Sequence, residues 1–380
     1  MSFTFNTTPS VIFGAGTLSQ IGALAATRLA QRVLVVTDAG LVRAGLVEPA
    51  LSGLAAAEVA AATFDAVVAD PPEAVVLDAV AQARSFDARA VIGLGGGSSL
   101  DVAKLVALLA ASGEELGAIY GVGNARGPRL PLLLAPTTAG TGSEVTPISI
   151  VTTGTHEKKG VVSPLLIPDI ALLDPELTLG LPPAVTAATG VDAMVHAIEA
   201  YTSASPNNNP VSRALACEAL RLLGRNIRQA VHHGRDLEAR GAMLIGSMLA
   251  GQAFANSPVA AVHALAYPIG GHFGVPHGLS NALVLPHVLR FNASACAAAY
   301  AELSPHAFPD LPESDAGAFI DALTKLSAEI GLPPRLRDVG IPADAVPLMA
   351  EDAMKQTRLL VNNPRPLGLA DARAIYEAAW

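Results

Sequence analysis

Apolar residues fall into two kinds of pattern along this chain, and the change comes near residue 181. Before it, short runs rich in β-branched residues alternate with stretches of helical periodicity. Residues 3–14 alternate loosely and end at Gly14 and Gly16, which predicts an edge strand and turn. Thr17 to Leu29 has helical spacing. Arg32-Val33-Leu34-Val35-Val36-Thr37-Asp38 reads as a buried parallel strand, followed by helical pattern to about Ala57. Strands are predicted near Val59–Phe64, over Ala90–Leu94 and over residues 130–136, with helices over Glu73–Ser85 and Leu100 to about Ala111. Leu172-Leu173-Asp174-Pro175 closes a further strand. Such alternation implies a parallel sheet covered on both faces.

Leu181-Pro182-Pro183 is the clearest composition break, and strand signals largely vanish beyond it. Ala184–Tyr201, Pro210–His232, Leu237–Phe254, Asn281–Tyr300, Gly317–Ile330, Ala343–Thr357 and Leu369–Ala379 read as helices, several with Pro or Gly at their ends. The expected organisation is an α/β domain with a Rossmann-like parallel sheet over residues 1–181 and an all-helical domain over 182–380. No internal repeat is visible.

Bulk properties narrow the function classes. A chain of 380 residues is long for one core, and with 51% hydrophobic and 15% charged residues it has material for two. A net charge of −9 with no basic stripe argues against nucleic acid and anionic membranes as partners. Two cysteines, Cys217 and Cys296, fit a reducing cytoplasm and give neither a disulfide framework nor a thiolate metal site. The N-terminus MSFTFNTTPS lacks the features of a signal peptide. The positive mean hydropathy comes from dispersed Ala, Val and Leu, and no run approaches a membrane span free of Gly, Pro or charge. A cytoplasmic location is expected.

Two loops point to a nucleotide. Gly95-Gly96-Gly97-Ser98-Ser99 lies between a predicted strand and a predicted helix. Glycines let the backbone approach a ligand, and a helix N-terminus offers free N–H groups to phosphate. The segment is not a strict G-x-G-x-x-G, and a tight turn without ligand explains it equally well. Thr137-Thr138-Ala139-Gly140-Thr141-Gly142-Ser143-Glu144-Val145-Thr146 follows another buried strand, at the carboxyl end of the sheet where open α/β folds bind ligands. Its hydroxyls suit phosphate, ribose or a carboxamide; a Ser/Thr turn capping a helix is the plainer alternative. Lys158-Lys159 adds positive charge near that phosphate site, although for Lys158 a solvated surface residue is the favoured reading.

The second half carries the other chemistry. Asp192 and His196 are four residues apart on a predicted helix and project from one face. His263, His272 and His277 lie in VHALAYPIGGHFGVPHGLSNALVLP. We expect Asp192, His196, His263 and His277 to meet around one divalent metal. Carboxylate and imidazole suit Fe²⁺ or Zn²⁺ better than Mg²⁺. Iron tolerates five or six ligands, leaving room for a substrate oxygen, whereas four ligands could close a tetrahedral zinc site. For any one of these histidines a hydrogen-bonded core residue is the plainer reading; the assembly of four shifts the balance. His232, His233, His287 and His306 have weaker contexts and read as surface or structural.

Four segments, GGGSSLDVAK (95–104), PTTAGTGSEVT (136–146), GVDAMVHAIEAYTS (190–203) and HALAYPIGGHFGVPHGLSNALVLPH (263–287), resemble those of the iron-containing (group III) alcohol dehydrogenases, and the likeness spans essentially the whole chain. It implies a dehydroquinate synthase-like fold: an N-terminal dinucleotide-binding α/β domain, a C-terminal all-helical domain and a site in the cleft between them. It implies Asp192, His196, His263 and His277 as ligands of Fe²⁺ or Zn²⁺. It implies cofactor contacts from Gly95, Gly96, Gly97, Ser98, Asp101, Thr137, Thr138, Ser143 and Lys159, and a homodimer. Asp38 ends an early strand where the family places an acidic residue near the adenosine ribose. A carboxylate there would favour NAD over NADP, while a helix N-cap accounts for it as well.

The resemblance breaks at one position. Many members have a second histidine four residues after the ligand; here Tyr267 stands there. In the family that histidine is thought to assist proton movement. A tyrosine can relay a proton, but its ordinary pKa of about 10 suits neutral pH less well. His272 is the substitute candidate, so Tyr267 and His272 are the expected catalytic proton carriers. The expected activity is hydride transfer between NAD(H) and a small alcohol or carbonyl compound. A maleylacetate reductase is disfavoured because that group tends to carry Asn at the place of Asp192. A dehydroquinate synthase or polyol-phosphate dehydrogenase is disfavoured by the scattered cations. A non-catalytic nucleotide- and metal-binding relative remains a further alternative.

Overall fold

The β-branched runs pair as parallel strands in a computed structural model, which describes every residue except Met1, Thr155, His156 and Glu313. In chain order the α/β part contains β1 (Ser10–Phe13), α1 (Ile21–Leu24), β2 (Arg32–Val36), α2 (Ala39–Arg43), α3 (Glu48–Ala56), β3 (Ala60–Phe64), α4 (Glu73–Ser85), β4 (Ala90–Gly95), α5 (Gly97–Ser112), α6 (Leu116–Ile119), β5 (Gly121–Val122), β6 (Leu132–Pro136), β7 (Ile148–Thr153), β8 (Glu157–Val162) and β9 (Ile170–Leu173). Six strands form one parallel sheet in the order β1-β9-β6-β4-β2-β3. β4, β6 and β9 are buried at every position, because helices cover both faces. Alternate residues therefore feed two separate cores. Leu34, Val36, Val91, Leu132 and Leu134 pack with residues of α4 and α5, while Val33, Val35, Ile92, Leu94, Leu133 and Leu172 pack with Ile21, Ala50 and Leu54 on the other face.

A small sheet, β5-β8-β7, was not anticipated. β7 and β8 are antiparallel, pairing Ile148 with Val162 through Thr153 with Glu157. The hairpin corrects the reading of Lys158 as a solvated residue. Its ammonium lies 2.7 Å from an Asp70 carboxylate oxygen and donates to Thr152 Oγ1 at 2.9 Å.

The second part is helical: α7 (Pro183–Thr202), α8 (Pro210–His232), α9 (Leu237–Asn256), α10 (Ala261–Phe273), α11 (His277–Ala307), α12 (Ala316–Glu329), α13 (Val346–Ala353), α14 (Thr357–Leu360) and α15 (Leu369–Ala379). α7 is apolar on nearly all sides and is buried almost throughout, as a central helix must be. It packs against α8, α9 and α11. α11 is long and apolar enough to cross a bilayer by length and composition. It also carries Pro286, Arg290 and Asn292, and Asn292 exchanges hydrogen bonds with Asn363 in the interior. Those features belong to a core helix. The helix expected over Ala343–Thr357 is broken, with α13 ending at Ala353 and α14 starting at Thr357.

By packing, the chain forms two units. One holds Asn6–Thr138 and Ser143–Leu179; the other holds Gly180–Trp380 together with the N-terminal residues through Phe5 and the short segment Ala139–Gly142. The hydroxyl-rich loop thus contributes its middle to the helical unit and its two ends to the α/β unit.

Candidate metal centre and nucleotide loops

Helical spacing explains how α7 builds its share of the metal cluster. Asp192, His196 and Glu199 recur at steps of four and three, so all three side chains leave one face of the helix. All three are at most 4% exposed. His263 comes from the first turn of α10, and His277 is the first residue of α11. Gly278 lets the start of α11 approach α7. A Cβ at that position would sit 2.4 Å from the Ala188 carbonyl oxygen and 3.2 Å from the Asp192 Cβ.

The ligand atoms of Asp192, His196 and His263 lie within 4.8 Å of one another. His277 joins them through its Nε2, 3.7 Å from Asp192 Oδ1. The Asn281 amide marks the point of convergence. Its Nδ2 is 2.6 Å from Asp192 Oδ1, 3.4 Å from His263 Nε2 and 3.3 Å from His277 Nε2. Its Oδ1 is buried with no hydrogen-bond partner among the described residues. The imidazoles of His196 and His263 stack with centroids 4.7 Å apart, and Phe254 covers the His196 ring at 4.3 Å.

The far side of each buried imidazole is also held. His196 Nδ1 donates to the Gly140 carbonyl at 3.2 Å, and His263 Nδ1 donates to Glu199 Oε2 at 2.6 Å. With Nδ1 carrying the proton, Nε2 of each ring keeps its lone pair toward Asp192. Burial drives the His196 pKa down to about 3; Asp192 opposes that shift and the neighbouring histidines add to it. Burial alone would raise the Asp192 carboxyl, but the three imidazoles and the Asn281 amide outweigh it and hold it below its usual value. Imidazole nitrogens beside a carboxylate are the donor set that suits a divalent transition metal. The residues present therefore fit such an ion.

The two remaining candidates of this unit are Tyr267 and His272. The Tyr267 ring is 6.0 Å from that of His277. His272, in the last turn of α10, is paired through Nε2 with Asp352 of α13. His272 is thus bound to a surface-side carboxylate and is not among the groups gathered around Asp192.

In the α/β unit, Asp38, Gly96–Ser98 and Thr137–Thr138 follow the carboxyl ends of the neighbouring strands β2, β4 and β6. That edge is where parallel sheets of this kind take ligands. Thr137 N donates to the Gly95 carbonyl at 2.9 Å, which locks the two loops side by side. No described side chain caps α5, whose N-cap is Gly96, so its first-turn N–H groups are available to an anion. Gly95 keeps the turn tight: a Cβ there would fall 2.6 Å from the Ser99 Cβ. Ser98 Oγ accepts from Asp70 N at 3.3 Å. Asp38 is the N-cap of α2 and accepts from Leu41 N at 3.0 Å. Lys159 is partly exposed, 3.4 Å from Glu157 and over the Tyr120 ring.

Asp101 and Ser143 are joined to each other. Ser143 Oγ donates to Asp101 Oδ1 at 2.6 Å, and Asp101 Oδ2 accepts from Ile150 N. Lys104, fully buried, donates to Ser143 Oγ, Thr146 Oγ1 and the Ile148 carbonyl. Burial lowers the Lys104 pKa to about 8, against the pull of Asp101 and Glu144. Burial lifts Glu144 to about 7, and its Oε1 has no hydrogen-bond partner among the described residues. Asp101 and Lys104 thus tie the end of the hydroxyl-rich loop to α5.

Sequence reasoning overlooked Glu199, Asn281 and Lys104. Each had a signal: Glu199 is three residues past His196, Asn281 four past His277 and Lys104 three past Asp101, all on helices. The Gly140 carbonyl had none, since a backbone acceptor leaves no mark on residue type.

Comparison with known proteins places the chain in a family. Residues 8–175 match the model described as iron-containing alcohol dehydrogenase, and residues 186–380 match that of the Fe-containing alcohol dehydrogenase family, C-terminal. The long-chain-alcohol dehydrogenase 1 of Geobacillus thermodenitrificans is 43% identical over 379 residues, covering 97% of this chain and 94% of that protein. The crystal structure of a 1,3-propanediol oxidoreductase superposes with a TM-score of 0.95 at 36% identity, covering 100% of both chains. A sulfoacetaldehyde reductase from Bifidobacterium kashiwanohense, solved in complex with NAD⁺, superposes with a TM-score of 0.89 at 28% identity, covering 100% of this chain and 99% of that one. Likeness of that extent makes the chain a member of the iron-containing alcohol dehydrogenase family, and with it an oxidoreductase.

Proposed function

We propose that this chain is an NAD(H)-dependent alcohol dehydrogenase and aldehyde reductase acting on a small alcohol or carbonyl compound, with Fe²⁺ or Zn²⁺ held by Asp192, His196, His263 and His277. The observation that carries the reading is the convergence of Asp192, His196 and His263 on one buried point. When bound there, the ion supplies Lewis acidity toward a substrate oxygen, and NAD⁺ or NADH supplies the hydride acceptor or donor. The protein's own part is positional and electrostatic. Asp192 offsets the positive charge of the ion. Gly140 and Glu199 keep Nδ1 of His196 and His263 protonated, so that Nε2 faces the cluster. In the α/β unit the uncapped start of α5 and the Thr137–Thr138 turn suit a pyrophosphate and the adjoining part of the dinucleotide.

Oxidation removes a hydride and a proton from the alcohol. Tyr267, whose ring neighbours that of His277, is the proposed proton carrier. His272 is the weaker candidate because Asp352 engages it. Asp38 supports NAD over NADP, since a carboxylate repels a 2′-phosphate. A homodimer completes the proposal; β1 lies at one edge of the sheet with Val11 and Phe13 exposed. The test is NADH oxidation on a panel of aldehydes, using metal-stripped protein reconstituted anaerobically with Fe²⁺ or with Zn²⁺. Activity that returns with one of the ions is expected. Stoichiometric metal without turnover on any carbonyl compound would favour the non-catalytic alternative.

A further inference from the structure

We propose that Glu199 is a positioning residue of the metal centre, acting through His263. The proposal rests on the metal reading of the cluster. Glu199 is 4% exposed, and both of its carboxylate oxygens are engaged by residues at the start of α10. Oε1 accepts from Val262 N at 2.7 Å, and Oε2 accepts from His263 Nδ1 at 2.6 Å.

The two bonds have different consequences. The N–H of Val262 belongs to the first turn of α10, where backbone donors have no partner within the helix. An anion at that end is favoured by the helix dipole. This bond pins the first turn of α10 to α7. The bond to His263 sets the ring's tautomer and its rotation, so Nε2 faces Asp192, 4.0 Å away. A carboxylate hydrogen-bonded to the outer nitrogen also makes the inner nitrogen a stronger donor toward a cation. One side chain thus determines where the helix bearing the ligand starts, which nitrogen of His263 points inward and how basic that nitrogen is. Spacing matches the role: Asp192, His196 and Glu199 leave α7 on one face, two to meet the ion and the third to steer a ligand from another helix.

A residue that only capped α10 would predict something different, and the conservative variant separates the two. Glu199→Gln keeps the shape but leaves one acceptor oxygen for two donors, and turns its amide NH₂ toward the other. We expect Zn²⁺ affinity, measured on apoprotein by competition with a chromophoric chelator, to fall by ~10–100-fold, as it does on loss of an outer carboxylate partner of a metal-bound histidine. The visible bands of the Co²⁺-loaded protein should shift. In a His263→Ala background the same substitution should change Zn²⁺ affinity by less than about threefold, because its route to the ion is already gone. Glu199→Asp, which retains the charge but shortens the reach, guards against a variant that fails to fold; it should also weaken Zn²⁺. Affinity within about threefold of wild type in either single variant would overturn the proposal, as would a loss of equal size with and without His263. Wild-type apoprotein should take up one Zn²⁺ per chain. If it does not, the metal reading itself fails, and this proposal with it.

Discussion

Asp192, His196 and His263 sit in a packed helical interior, each at most 4% exposed, while the glycine turn after β4 and the threonines after β6 lie at the carboxyl ends of neighbouring parallel strands. The first region specifies its chemistry through side-chain identity. A carboxylate, three imidazoles, an amide and a second carboxylate each have a defined partner within a few ångströms. The second specifies it through the path of the backbone: an uncapped helix start, a tight turn and a parallel register that sets Gly95 beside Pro136. Substitution should therefore act differently in the two regions. Losing one ligand should remove a function outright, whereas a change at a strand end should alter fit by degrees.

The largest separation is expected from His263→Ala. Metal-dependent turnover should fall by several kcal/mol of transition-state stabilisation, ~10³-fold or more. NADH binding, followed by fluorescence, should change little. Full activity in this variant would sink the metal assignment.

Next comes a buried carboxyl of the hydroxyl-rich loop, near Lys104. Glu144 has a folded pKa of about 7, raised by burial from an ordinary 4.5. A raised carboxyl favours the fold below the unfolded value, and that contribution is lost as pH climbs from 4.5 to about 7. Glu144→Gln escapes the loss. Its stability relative to wild type, from urea midpoints, should rise by about 3 kcal/mol between pH 4.5 and pH 7 and then level off, at ~1.36 kcal/mol per pKa unit. A difference that does not vary with pH would show that Glu144 ionises freely.

Gly95→Ala should sharpen the contrast from the other side. The added Cβ meets Ser99 at 2.6 Å, so the start of α5 must shift. NADH affinity should fall by ~10–100-fold, or roughly 1.4–2.7 kcal/mol, with metal content unchanged. Equal loss of metal and dinucleotide would mean the two regions are not independent. The smallest effect is expected from Asp38→Ser. Serine retains a capping oxygen for Leu41 N, so stability should stay within about 0.5 kcal/mol. The preference for NAD over NADP should nevertheless narrow. An unchanged preference would leave Asp38 as a cap alone.

What could be read from sequence divides along the same line. β4, β6 and β9 are buried on both faces and announce themselves as continuous apolar runs, and α4, α8 and α15 were placed to the residue by periodicity and end signals. The β7–β8 hairpin escaped because its strands are half-buried and its second strand opens with Glu157, Lys158 and Lys159, which look like solvent-facing charge. α11 begins at His277, four residues earlier than expected, and Gly278 in its first turn allows a close approach to α7. The four proposed ligands were identifiable as residue types on helices. The partners that aim them were not all so: Glu199 and Asn281 could have been found by helical spacing, but the Gly140 carbonyl depends on the course of the chain alone.

The most direct test is an anaerobic titration of chelator-stripped protein with Fe²⁺, read as metal retained per chain after gel filtration, on wild type and on Asp192→Ala. The account predicts one ion per chain in the wild type and none held by the variant. A wild-type chain that retains no iron, or a variant that retains as much as wild type, would contradict the claim that Asp192 and the three histidines form a single metal site.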